Sequence, residues 1–215
     1  MTALVEHAHT TDCPARASAP NFERLLGPDA WQRLPAAVRA RFATDAHAHS
    51  KTTIYAGTAV VRATLAGRAF AHLCRCVGTP VAPYVGESVP MRVRVFRVDA
   101  GIVWERHYDF AGRACVVTST KQTDGESLVE KLGAGLYMRL RTFEEDGALH
   151  FASDGYFFRV GDFALPLPDW FLPGGTHVLH EDLGRGEFRF TLRTHHPWFG
   201  EMFFQDGVFT QESAS

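Results

Sequence analysis

Beyond Val89 the chain is a succession of short runs in which apolar and polar residues alternate. Turn signals close them: Asp99-Ala-Gly, Ala111-Gly-Arg, Asp124-Gly, Asp146-Gly, Ser153-Asp-Gly, Gly174-Gly and Gly184-Arg-Gly. Alternation sends every second side chain to one face, and Gly and Asp supply the backbone conformations that tight hairpins require. The pattern predicts about nine or ten strands of roughly 6 to 10 residues in an antiparallel meander. Upstream the period changes. Phe22, Leu25 and Leu26, then Trp31, Leu34, Val38 and Phe42, recur at three to four, with breaks at Gly27-Pro28 and Pro35, so 21–43 reads as two or three short helices. Thr52 to Leu65 is β-rich, and 67–77 returns to helical spacing through Phe70, Leu73, Cys74 and Val77. Residues 1–20 lack apolar periodicity and read as a flexible arm; 21–215 reads as one domain. A sheet this long, without helices to cover a face, curls on itself and removes its edges. The expectation is therefore a mainly β protein, a lipocalin- or calycin-like β-barrel plugged or flanked by the N-terminal helices. A helix-grip fold is the rival, and its closing C-terminal helix is at odds with the Phe-rich, Gly-interrupted end EMFFQDGVFTQESAS.

Composition narrows the function classes. With 215 residues, 46% hydrophobic, the chain can bury a core without disulfides or a structural metal. Its net charge of −2 leaves no electrostatic footprint for nucleic acid or anionic lipid. Four cysteines without a disulfide rhythm, Cys13 among them in the arm, and the absence of an apolar run long enough to span a bilayer point to a cytoplasmic protein. The 17 Phe exceed what a plain core requires and suit a pocket for an apolar or aromatic small molecule.

Ionisable residues in phase with large apolar ones are aimed at the interior, where charge is costly unless it is paired or used. That rule selects three. Arg106 shares a face with Ile102, Trp104, Tyr108 and Phe110; Glu130 lies between Leu128 and Leu132; His196 continues the phase of Phe188, Phe190 and Leu192. One reading is a site in which Glu130 or His196 moves a proton and Arg106 holds a substrate oxyanion or carboxylate, with Trp104, Tyr108, Tyr137 and Phe190 around the ligand. The other is a buried Arg106–Glu130 ion pair with His196 at a strand end. Leu165-Pro-Leu-Pro-Asp-Trp170-Phe171 is a stiff apolar connection that either lids the barrel through Trp170 and Phe171 or packs outside.

Other constellations carry less. His7-Ala-His9 and His47-Ala-His49 lack a third ligand, so no metal site is assigned, and Cys74 and Cys76 on one helix point apart. Ser119 and Ser127 lack a nucleophile-elbow context, and no phosphate-cradling glycine motif occurs. The resulting expectation is a cofactor-free enzyme performing a non-redox step, a cyclisation, isomerisation or elimination, on an apolar metabolite. A carrier or sensor of a hydrophobic ligand and a partner-docking domain are the alternatives, with a haem-binding barrel more remote.

Five segments in order, Phe22-Glu-Arg-Leu-Leu-Gly, Trp104-Glu-Arg-His-Tyr, Glu144-Glu-Asp-Gly-Ala-Leu-His-Phe, Leu165-Pro-Leu-Pro-Asp-Trp and His196-Pro-Trp-Phe-Gly, resemble a bacterial family catalogued as domain of unknown function 4166. They span most of 21–210. His107-Tyr108 stands where that family's pattern suggests a bulkier apolar pair. The resemblance implies no catalytic residues. Similar domains occur fused to oxidoreductase-like or membrane domains, so this chain reads as a free-standing copy with its own arm.

Overall fold

A computed structural model describes residues 17–44, 46, 52–75, 78, 81–161, 163–168, 172 and 174–212. His7, His9, Cys13, His47, His49, Cys76, Trp170 and Phe171 lie outside the described residues.

Among the described residues, four short helices and eleven strands follow one another. Helix α1 (Phe22–Leu26) starts where the Asn21 side chain accepts the Arg24 amide and stops at Gly27, whose φ of 81° favours glycine. Helix α2 (Pro28–Arg33) opens on a proline that has no amide hydrogen to leave unpaired, and Pro35 sets off α3 (Ala36–Phe42). Trp31, Leu34, Val38 and Phe42 are all buried, as their spacing predicts. Helix α4 (Leu65–Cys74) begins two residues before the expected position, because the Thr64 hydroxyl caps the Gly67 amide.

The strands are β1 (Thr52–Ala63), β2 (Gly86–Val98), β3 (Gly101–Phe110), β4 (Arg113–Asp124), β5 (Ser127–Lys131), β6 (Leu136–Glu145), β7 (Ala148–Val160), β8 (Phe163–Leu167), β9 (Gly175–Gly184), β10 (Glu187–His196) and β11 (Gly200–Gln211). Each pairs antiparallel with its neighbours, and β1 pairs with both β2 and β11. Because β6 also pairs with β7, and β7 with β9, ten strands close a barrel and β8 hangs on its rim against β7. The last described element is a strand, and the closed barrel stands in place of the helix-grip alternative.

Ser153-Asp-Gly corrects one turn assignment. It lies within β7, opposite a register shift between Met138 and Leu140, with Gly155 at φ 94°. The irregularity lets one strand serve two partners: Leu149–Ala152 pair with β9 and Tyr156–Val160 with β8. Pro166 sits in the rim strand, where a missing amide hydrogen costs least. Ser18, within the stretch read from the sequence as an arm, bridges to Thr123 of β4.

The two barrel ends are closed differently. Helices α1 to α3 cover the end where the β4–β5, β6–β7 and β9–β10 turns lie, and Arg33 pairs with Glu144 and Arg41 with Asp182 there. Helix α4 covers the opposite end, packed on β11 and β1. A Cβ at Gly67 would stand 2.0 Å from the Met202 carbonyl oxygen. Gly67→Ala is therefore expected to lift α4 from β11 while the barrel stays closed. Hydrogen exchange should show α4 amides losing protection and β1 and β11 amides keeping theirs; uniform loss or no change would contradict this account.

Candidate functional site

Inside the barrel a narrow cavity, with about 90 Å³ open to the centres of water molecules, runs from Phe42 of α3 to Phe70 and Cys74 of α4. Its walls are predominantly apolar and aromatic, with one concentrated polar region. That region is built from three consecutive strands. Alternation turns Trp104 and Arg106 of β3, Ser119 and Lys121 of β4, and Glu130 of β5 inward; Trp104 faces Ser119 and Lys121 faces Glu130 in register.

The polar side chains form a chain of contacts. Lys121 Nζ lies 3.1 Å from Glu130 Oε1, Arg106 Nη2 donates to Ser119 Oγ at 3.1 Å, and the Ser119 hydroxyl hydrogen-bonds Glu130. None of the four is more than 8% exposed. Lys121 Nζ also stands 5.2 Å from the centre of the Trp104 ring and 5.4 Å from that of Phe151. Burial pushes the Lys121 amine below its ordinary pKa, against the pull of Glu130. Burial alone would raise Glu130, but the Lys121 and Arg106 charges outweigh it and hold the carboxyl below the usual range. Two basic groups thus face one carboxylate. The Arg106 guanidinium has no carboxylate of the described residues within 4.0 Å, and its Nε has no hydrogen-bond partner among them.

Two strands from Glu130, in register with it through Met138, the Tyr156 hydroxyl bonds the Thr176 hydroxyl at 2.8 Å, and burial pushes Tyr156 up to about 12. Towards α3, His180 packs between Phe42 and Phe188 at 4.9 and 4.4 Å. Burial, reinforced by Arg41, drops its pKa well below the ordinary value and keeps the ring neutral. His180 Nε2 and Trp104 Nε1 are, like Arg106 Nε, buried without a partner among the described residues. All three residues line the cavity.

The structure sorts the expected site residues. Arg106, Glu130, Trp104 and Phe190 line the cavity. Arg106 and Glu130 share the interior without forming the direct ion pair considered from the sequence; Ser119 joins them and Lys121 is the carboxylate's counter-charge. Tyr108 is buried outside the cavity lining, its hydroxyl donating to Gln205 Oε1 at 2.8 Å. Tyr137 lies on the outer face with Val129 and Phe157, because Leu136 and Met138 take the inward positions of β6. His196 is buried at the β10–β11 turn, where Nδ1 accepts the Trp198 amide at 3.1 Å, away from the cavity lining. Lys121 and Ser119 escaped the sequence reading since adjacent Val116 and Val117 obscure which phase of β4 is inward; His180 was hidden similarly by Val178-Leu179. Following the phase of Cys115 and Val117 leads to both β4 residues.

No helix of the described residues is long and apolar enough to cross a membrane. Neither a curated protein nor a solved structure matches this chain. The family model described as domain of unknown function (DUF4166) matches residues 34–209, and it covers the barrel strands that carry the interior cluster. The chain therefore belongs to the DUF4166 family.

Proposed function

We propose that the barrel binds an apolar or aromatic small molecule and carries out a cofactor-free, non-redox acid/base step on it. The observation supporting this is the convergence of Arg106, Ser119, Lys121 and Glu130 beside aromatic walls in one accessible interior space. Ionisable groups are expensive to bury, and a barrel that served only to enclose an apolar ligand has no need of them. In this reading the Glu130 carboxylate takes a proton from the ligand, the Lys121 ammonium gives one back to it, passage of the proton from the Glu130 carboxyl to the Lys121 amine 3.1 Å away restores both groups, and Arg106 stabilises the negative charge that develops. His196 has no part, as it does not line the space.

A carrier reading is favoured by one specific observation: Glu130 is already engaged by Lys121 and Ser119. The two readings separate by experiment. An uncharged lipophilic fluorophore, N-phenyl-1-naphthylamine, should brighten on titration with the protein and quench Trp104, and Trp104→Phe should remove most of the quenching. A probe that stays dark would refute binding in the barrel. Small molecules extracted from the native protein and returned to fresh protein should be converted without change of oxidation level, and Glu130→Gln, assayed where circular dichroism shows it folded, should stop the conversion. Recovery of the extract unchanged would leave a carrier.

A further inference from the structure

We propose that Arg106 is the recognition residue for a carboxylate, so that the barrel's ligand is an amphiphilic monocarboxylic acid held head-inward. This deepens the small-molecule reading above and rests on it. Three observations carry it. Arg106 sits mid-strand in β3, deep between the two capped ends, with the Ser119 hydroxyl as its one side-chain hydrogen-bond partner among the described residues. A guanidinium offers five donors in a planar fork that matches two carboxylate oxygens, and here Nε, one corner of that fork, is unclaimed. The interior cluster has two basic side chains and one acidic one, so a single negative charge on the ligand completes the balance.

Neighbouring groups agree with this polarity. Trp104, the next inward residue on β3, lines the same space with its own unclaimed indole N–H, a second donor on the same face. No acidic side chain other than Glu130 lines the cavity among the described residues, and Glu130 is committed to Lys121. The remaining walls give the ligand's body apolar surface towards α4, through Leu132, Met138, Leu172 and Phe70. A cationic or doubly charged ligand would meet uncompensated charge in a low-dielectric interior.

The test uses the full chain and two probes that differ only at the head: cis-parinaric acid and its methyl ester, whose polyene fluorescence rises in an apolar site. Wild-type protein is expected to bind the acid at least ~10-fold more tightly than the ester, as a charge-assisted bidentate contact implies. Arg106→Met is expected to erase that preference, bringing the acid and ester affinities within about twofold of each other, since it removes the charge and keeps an unbranched side chain. Arg106→Gln serves the same comparison should the Met variant fold poorly by circular dichroism. Equal binding of acid and ester by wild type, or a preference that survives both substitutions, overturns the carboxylate proposal and leaves the small-molecule reading standing. Failure of both probes to bind overturns the two together.

Discussion

Glu130→Gln is expected to destabilise the protein by ~3–5 kcal/mol, because it strands the Lys121 ammonium in the barrel without its counter-charge. The carboxylate lies 3.1 Å from Nζ and both side chains are almost fully buried, so solvent cannot stand in for it. Combining the change with Lys121→Met should bring stability back to within ~1 kcal/mol of the parent, since an uncharged pair of similar volume avoids the desolvation of two ions. Urea denaturation of the four members of the cycle measures this directly. The pH dependence has a definite sign. Glu130's folded pKa is lowered, so its contribution to wild-type stability is full above ~4.3 and is lost as pH falls through the lower folded value. In Glu130→Gln the amine loses the group that opposed burial, and its pKa falls further. The native variant then binds fewer protons than its unfolded chain, so its stability should climb with pH up to ~10.4. A single variant within ~1 kcal/mol of wild type would show that the pair is not electrostatically coupled.

The same cluster shows how far alternation carries. In β3, the run Ile102, Trp104, Arg106, Tyr108 contrasts with Glu105, His107 and Asp109, so one phase is unambiguous and the guanidinium can be placed inside from sequence. In β4 the apolar side chains occupy both phases and the inward one turns polar at Ser119, so the same rule is silent about Lys121. Tyr137 shows the converse. An aromatic between Leu136 and Met138 looks like core, yet it covers the outside of the barrel, where Arg159 lies 5.2 Å from its ring centre. Closure itself was inferred from an edge that would otherwise be exposed. The pairings that achieve it, Tyr55–Ala63 with Phe203–Gln211 and β6 with β7, depend on long-range registry that local periodicity does not encode. Strand β8 and the split partnership of β7 have the same origin, and a Ser-Asp-Gly signal is as compatible with a bulge as with a hairpin. How the helices divide between the barrel ends is likewise a matter of tertiary contact. The Phe42 stripe could be read as buried, whereas its role as the cavity's end wall required the barrel around it.

Phe42→Ala should therefore reach beyond the helix that bears it, costing ~3–5 kcal/mol in chemical denaturation. The ring is 2% exposed and meets Phe22 at 5.2 Å, Trp104 and Phe151 at 5.9 Å, and His180 at 4.9 Å. Trp104, Phe151 and His180 belong to β3, β7 and β9, which barrel pairing holds at fixed spacing, so they cannot collapse into the space it leaves. Phe199→Ala, at an exposed ring on the β10–β11 turn, is the control and should cost less than ~0.5 kcal/mol. Water entering past α3 also reaches His180. Its imidazole is neutral because it is buried, so rehydration should raise its pKa towards the ordinary ~6.5, which the ring-proton chemical shifts would follow by NMR. Wild-type stability should decline as pH falls below ~6.5, where the unfolded histidine takes up a proton that folded His180 refuses, and the variant should show less of that decline. If His180 titrates identically in both proteins, Phe42 does not seal this end of the cavity, and water exclusion must be assigned to Phe22 and Phe188 instead.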